Sequence, residues 1–251
     1  MIVGISARKK SGKDLVGHII QYFTAVKSTQ KSLFDYPECL EVINNYPKYK
    51  DWLNQNGWKI KKFADKLKDI VCLLIGCTRE QLEDEKFKNT KLGEEWTWGH
   101  HNFGPKITPR QMLQYIGTDL LRNQLHSNTW VNTTRLDYKP AGKNVNIDGF
   151  LETTLINGLK ANIKLHPILN DRYFPNWIIT DVRFPNEIKA IKETGGIIIR
   201  VERPSIKQDD NHLSETALDD YDNFDYIIKN DDSIESLIIK VKEILIKEKI
   251  L

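Results

Sequence analysis

Ile2-Val3-Gly4-Ile5-Ser6-Ala7-Arg8-Lys9-Lys10-Ser11-Gly12-Lys13-Asp14-Leu15-Val16-Gly17-His18-Ile19-Ile20 is the stretch on which the fold turns. Ile2 to Ile5 is a short apolar run, Ser6 to Lys13 is small and basic, and Leu15, Val16, Ile19, Ile20 and Phe23 recur at helical spacing. The order is strand, loop, helix. In that position backbone N–H groups and the positive end of the helix dipole converge on an anion, and Lys13 can reach the terminal phosphates of a nucleotide. The letters fit a phosphate-binding loop less well than the position does: the full pattern has Gly at position 7 and Ser or Thr at position 14, where this chain carries Ala7 and Asp14. Ala7 is a modest departure if its backbone needs no positive φ. Asp14 matters more, because the usual hydroxyl ligates Mg²⁺ beside the phosphates. A carboxylate there can hold the ion through water, yet it repels phosphate when no metal is bound. A basic surface turn that happens to contain Gly-Lys is the alternative.

Outward from this unit, Lys27 to Gly57 loses its periodicity and reads as an insertion (30–57) with some helix. Trp58 to Phe63 alternates like a strand, and Leu67 to Ile75 carries a helical stripe that Gly76 ends. Residues 84–107 are charged and aperiodic and suit a mobile surface segment. Thr108 caps and Pro109 opens a helix whose inward stripe is expected to be Leu113, Ile116 and Leu120. Residues 137–175 read as a second insertion with a short hairpin or helix. The last third is regular: Trp177 to Thr180 (strand), Asn186 to Thr194 (helix), Gly195-Gly196 (stop), Ile197 to Val201 (strand) and Tyr226 to Lys229 (strand). Asp232 with Glu235 resembles a capping box before the amphipathic helix of Leu237, Ile238, Val241, Ile244 and Leu245. Alternating strands and helices predict an α/β fold, a parallel sheet with helices on both faces. No internal repeat or low-complexity tract interrupts it.

The chain has 251 residues, 40% of them hydrophobic and 28% charged, which excludes wholesale disorder and a coiled-coil rod and predicts one large domain. Lys and Arg number 37 against 34 Asp and Glu, a net +3 too small for bulk charge to imply a nucleic-acid or membrane coat, so any anion site is local. Ile70 to Ile75 is the longest apolar stretch, and residues 1–4 lack a charged lead and a signal core, so a cytosolic protein is expected. Cys39, Cys72 and Cys77 contain no CxxC pair and read as small buried hydrophobes.

Several motifs bear a family likeness. The Ser11-Gly12-Lys13-Asp14 loop, Phe63-Ala64-Asp65 with Lys68-Asp69, and Thr108-Pro109-Arg110-Gln111 running to Gly117-Thr118-Asp119 and Trp130 come first; Asp181-Val182-Arg183-Phe184-Pro185-Asn186-Glu187 and His212-Leu213-Ser214-Glu215 follow. In that order they resemble the bacteriophage-type deoxynucleoside monophosphate kinases, and only the two insertions fall outside the likeness. The resemblance implies a three-layer P-loop kinase fold, a central sheet of about five parallel strands, and transfer of the ATP γ-phosphoryl group to a deoxynucleoside 5′-monophosphate with Mg²⁺. It also implies soluble nucleotide partners, no stable nucleic acid and no membrane, a location in the cytoplasm (the host's, if phage-encoded), and is compatible with a homodimer. In that family an Asp after the loop Lys is usual.

Aligning and neutralising two charged nucleotides needs cations from several directions. Lys13 comes from below the β and γ phosphates, with Ser11, Gly12 and Asp14 completing the loop. Lys68 follows the second strand by a helical turn, which aims it at the sheet's ligand-binding edge. By resemblance it holds the acceptor phosphate; otherwise it is a solvated lysine. Arg110, Gln114, Gly117 and Thr118 share one helix face shaped for a ligand, whereas helix packing at Gly117 is the competing reading. Trp130 walls the same pocket or belongs to the core. Asp181 ends a strand where a carboxylate meets the metal or its waters, and Arg183 reaches the phosphates; the alternative is an internal Asp181–Arg183 ion pair. Glu187 orients Arg183 or is an ordinary helix-start acid. Arg203, His212, Ser214 and Glu215 fall where P-loop kinases place a closing lid (203–218), and Asn230-Asp231 resembles their adenine-side loop, or else is a capped turn. Outside this reading stand a kinase for another small acceptor such as a dephospho-coenzyme-A-like alcohol, an ATP-dependent nucleic-acid module, and a degenerate nucleotide-binding structural protein.

Overall fold

Ile2–Ala7 forms strand β1 at the centre of a sheet because nearly every position in it is apolar or small and can be buried on both faces. The computed structural model describes residues 1–29, 38–97, 106–140, 174–205 and 212–251. Among these, β2 (Lys59–Lys61), β3 (Trp177–Val182), β4 (Ile197–Glu202) and β5 (Tyr226–Lys229) join β1 in the order β2-β3-β1-β4-β5. All four pairings are parallel, with Val3 opposite Ile178 on one side and Ile197 on the other. The expected α/β parallel sheet is present.

Helix α1 (Lys13–Ser28) lies on one face, where Val16, Ile19 and Ile20 bury against Ile5 and Ile178. Gly17 lets α1 approach β3, since a Cβ there would sit 2.6 Å from Thr180 Cγ2. The first insertion contributes α2 (Cys39–Asn44) and α3 (Tyr46–Asn56) to this same layer through Val42 and Leu53, while residues 30–37 lie outside the described residues. On the other face Ile2, Ile179, Val182 and Ile198 meet α4 (Asp65–Ile75) and its neighbours. No helix among the described residues is long and apolar enough to cross a membrane.

The charged segment 84–107 is more built than its sequence promises. Next to α5 (Arg79–Glu83) it forms α6 (Glu85–Asn89) and a 3₁₀ turn at Glu94–Trp96, and buried Leu82 and Ile107 hold its ends. Residues 98–105 lie outside the described set, as do 141–173 of the second insertion. Thr108 caps α7 (Pro109–Gln114) through a box with Gln111, as its sequence predicts.

The continuation, Tyr115–Leu125, is a wide π-type helix, and it corrects the expected inward stripe at its end. Leu113 and Ile116 are half-buried and pack against the core, but Leu120 is 38% exposed, whereas Met112, Gly117, Thr118 and Arg122 are buried. The i→i+5 bonding widens the turn, so the buried face drifts away from the one that 3.6-residue periodicity picks out.

α8 (Thr129–Asp137) follows, then α9 (Pro185–Lys192), stopped at Gly195 with φ +72°, then α10 (Leu213–Thr216). α11 (Ile234–Lys247) is capped by Ser233, whose Oγ accepts from the Ser236 amide at 3.2 Å, so the expected Asp232–Glu235 box gives way to a cap one residue on. The cysteines are half-buried rather than buried, and all three are free.

Candidate active site

The loop between β1 and α1 departs from strand geometry only where its sequence permits. Ala7 still pairs with Val201, so this position needs no glycine. Gly12 has φ 97°, and a Cβ there would lie 2.5 Å from Asn230 Nδ2. Both the torsion and the space require glycine. Asn230 Nδ2 donates to the Ser11 carbonyl at 3.0 Å, and its own amide donates to the Glu202 carbonyl at 2.7 Å. Asn230 thus braces the loop from behind, with Ser11 buried beneath it.

Asp14 sits between two lysines, 3.3 Å from Lys13 and 3.4 Å from Lys62, and accepts from Thr180 Oγ1 at 3.3 Å. Burial alone would raise its carboxyl, but the two ammonium groups hold it down at about 2. The repulsion expected between Asp14 and phosphate is therefore offset by paired cations.

Asp181, at the end of β3, accepts from the Phe63 amide at 2.8 Å and the Ala64 amide at 3.0 Å. It fixes the turn that leads from β2 into α4 and so sets where Lys62 and Lys68 stand. The Asp181–Arg183 pair considered above does not form. Arg183 Nη1 instead donates to the Ser214 carbonyl at 3.2 Å and pairs with Glu215. Glu187 orients the backbone of Arg183 rather than its guanidinium: Oε2 accepts from the Arg183 amide at 2.8 Å and the Phe184 amide at 3.2 Å. Burial, with repulsion from Asp181, pushes the Glu187 carboxyl up to about 7.

Below it lies a buried arginine that sequence reasoning missed. The Arg122 guanidinium stacks 3.4 Å from the centre of the Phe184 ring and stands 3.5 Å from Glu187. The wider turn of the π-type helix, which 3.6-residue periodicity does not follow, brings Arg122 inward.

A cleft of about 320 Å³ opens between the phosphate loop, α4, α5, α6, α7 and the start of α9. Lys13, Asp14, Asp181 and Arg183 line it, and so do Lys68, Arg110, Gln114, Gly117, Thr118 and Trp130. Ser214 and Glu215 reach its rim, and His212 caps α10 by accepting from the Ser214 amide at 3.2 Å. Four expected residues do not line the cleft: Ser11 is buried in the loop and Gly12 turns it, Asn230 stands behind it, and Arg203 is exposed past β4. Residues 206–211 of the expected lid lie outside the described residues.

The cleft also contains Lys9, Lys62, Glu83, Glu85 and Lys88, none of which the sequence singled out. Its seven cations each face a carboxylate: Lys68 pairs with Glu83, Lys88 and Arg110 with Glu85. Burial and neighbouring Lys62 lower the Lys68 ammonium, which still keeps Glu83 as partner.

Gly117 and Trp130 both pack within the fold and line the cleft. The Trp130 indole donates to the Gly117 carbonyl at 2.8 Å while its ring walls the cleft, and a Cβ at Gly117 would stand 2.5 Å from Leu67 Cδ2. Leu67 itself lines the cleft, so helix packing and ligand space meet at one point. Gly117→Val should drive Leu67 into the cleft, raising the acceptor KM about tenfold or more and lowering the melting temperature, with ATP affinity within about twofold. An unchanged acceptor KM would contradict it. Glu187 supplies a pH prediction. Its folded carboxyl binds a proton that the unfolded chain releases near 4.5, so it costs stability increasingly as pH rises from about 4.5 to about 7. Glu187→Gln, whose amide oxygen still accepts both N–H groups, should flatten that decline in denaturant titrations. Parallel curves for the two proteins would refute it.

The family model described as Deoxynucleotide monophosphate kinase matches residues 164–241. A protein of Acanthamoeba polyphaga mimivirus named "Putative deoxynucleotide monophosphate kinase" is 31% identical over 190 residues, 73% of this chain and 80% of that relative. The Deoxynucleotide monophosphate kinase of Enterobacteria phage T4 is 30% identical over 145 residues, and that of Escherichia phage RB69 is 26% identical over the same length; each match covers 58% of this chain and 48% of the phage protein. The loop after β1, the α7 helix and the Asp181–Glu187 turn thus converge on one cleft in a chain that belongs to the deoxynucleotide monophosphate kinase family.

Proposed function

We infer that this chain moves the γ-phosphoryl group of ATP to a deoxynucleoside 5′-monophosphate, releasing ADP and the diphosphate. An oxygen of the acceptor's phosphate forms the new bond to the γ phosphorus as the bond to the β-bridging oxygen breaks. The observation that carries this reading is a single cleft in which the phosphate loop and the α7 face meet, with cations arriving from the loop, α4, α6, α7 and the residues after β3.

Lys13 acts on the β and γ phosphates, and Arg183 neutralises charge that develops between donor and acceptor, both as catalytic residues. Gly12 presents its loop amide to the donor phosphates, while Ser11, whose amide donates to the Arg8 carbonyl at 3.3 Å, shapes the loop with Asn230 behind it. Arg203 is left without a contact to this site. Lys68 and Arg110 hold the acceptor phosphate, while Gln114, Thr118 and Trp130 line the space left for its sugar and base. Arg183 gives up Glu215 to meet phosphate, so the rim around Ser214 moves as the cleft fills.

Asp14 and Asp181 suit Mg²⁺, a hard cation that takes few protein carboxylates and fills its shell with water and phosphate oxygens. Each oxygen of Asp181 already accepts one backbone N–H group, which holds the carboxylate in place, and Asp14 and Asp181 would hold the ion directly or through its waters. When bound, the ion neutralises the β and γ phosphates. Soluble nucleotides as both substrates place the reaction in the cytoplasm, the host's if the chain is phage-encoded, and every group named here comes from one chain.

The test is turnover of ATP with each of the four common deoxynucleoside monophosphates and with non-nucleotide alcohols as controls. Phosphoryl transfer to at least one of the four is expected, and Lys13→Ala should lower its kcat by about two orders of magnitude or more with an unchanged melting temperature. Wild-type-like turnover by Lys13→Ala, or transfer only to the alcohols, would overturn the assignment.

A further inference from the structure

Glu85 stands apart from the other acids of the cleft. Three cations from three elements meet its carboxylate: Arg110 of α7 at 2.6 Å, Lys88 of its own helix at 3.0 Å and Lys9 of the phosphate loop at 3.5 Å. Arg110 belongs to the acceptor side, and Lys9 lies in the loop that faces the donor. One carboxylate therefore touches both halves of the site. The fold does not need it there. The side chain is 58% exposed, and α6 is fixed by the Asp84 cap, which accepts from the Phe87 amide at 2.6 Å. Arg110 has a second anchor, since its Nε donates to Asn89 Oδ1 at 2.9 Å. Partial burial would raise the Glu85 carboxyl, but Lys88, Arg110 and Lys9 together hold it below its ordinary value.

We propose that Glu85 couples the two nucleotide subsites: in the empty cleft it occupies the anion position shared by Arg110 and Lys9, and the acceptor's 5′-phosphate expels it. The inference rests on the proposed function for the identity of the two anions. A phosphate dianion docking on Lys68 and Arg110 repels the carboxylate. Once displaced from Arg110, Glu85 is displaced from Lys9 too, and the Lys9 ammonium becomes available to the phosphates of ATP. Acceptor binding thereby tightens donor binding, and by linkage ATP tightens the acceptor by the same factor. Solvent-exposed ion pairs are individually weak, so the factor is about three- to tenfold.

Calorimetric titration of a non-hydrolysable ATP analogue, with and without saturating deoxynucleoside monophosphate, tests this on the full chain. In the wild type the acceptor should tighten the analogue about three- to tenfold. In Glu85→Gln the analogue alone should bind more tightly than to the wild type, and the acceptor should add almost nothing. Glu85→Asp keeps the charge and should keep the coupling, as should Glu95→Gln at an exposed acid outside the cleft. Full coupling in Glu85→Gln overturns the proposal. So does weaker binding of both nucleotides, which would make Glu85 a support for Arg110. If the wild type transfers phosphate to no deoxynucleoside monophosphate, the proposed function fails separately. Inorganic phosphate titrated beside the analogue then reads the coupler: tightening that Glu85→Gln abolishes supports it, and equal behaviour of the two proteins overturns it.

Discussion

Seven positive side chains share one cleft, and like charges at 4 Å cost about 4 kcal/mol each at an effective dielectric constant of 20. That repulsion governs the arrangement of everything around it. Six acids line the same cleft, and Asp14, Glu83, Glu85 and Glu215 each stand on a cation that the proposed reaction assigns to phosphate or to its surroundings. In the proposed reaction the phosphates take over cations that Glu83, Glu85 and Glu215 hold in this structure.

The scaffold holds these charges through a few backbone ties. Asp181 accepts from two amides of the turn before α4, so β3 dictates where Lys62 and Lys68 can stand. Glu187 does the same for the Arg183–Phe184 turn, and Asn230 for the phosphate loop. The Asp181 and Asn230 ties link the C-terminal end of one strand to the segment after another, and the Glu187 tie closes the turn after β3, all at the edge at which open α/β sheets bind ligands.

The sheet was legible because β1, β3 and β4 are buried on both faces and their apolar runs announce it. The loop was legible from Gly12-Lys13 between strand and helix, and Ala7 proves harmless because strand pairing continues through it. The helix after Thr108 was legible at its cap and in its first turns, where Leu113 and Ile116 pack against the core, but not further on, where the π-type turn exposes Leu120 and buries Gly117, Thr118 and Arg122. Glu83 and Glu85 lie in short, exposed, aperiodic helices, where no pattern separates a cleft acid from a surface one. Arg203 shows the converse: a plausible position after a strand, turned to solvent.

The central claim is that donor and acceptor phosphates meet in this one cleft. Inhibition by a bisubstrate ligand, adenosine joined to a deoxynucleoside through a polyphosphate bridge, tests it most directly. The account predicts one ligand per chain, competitive against both ATP and the deoxynucleoside monophosphate. Competition against ATP alone, with the acceptor binding undisturbed, would contradict it.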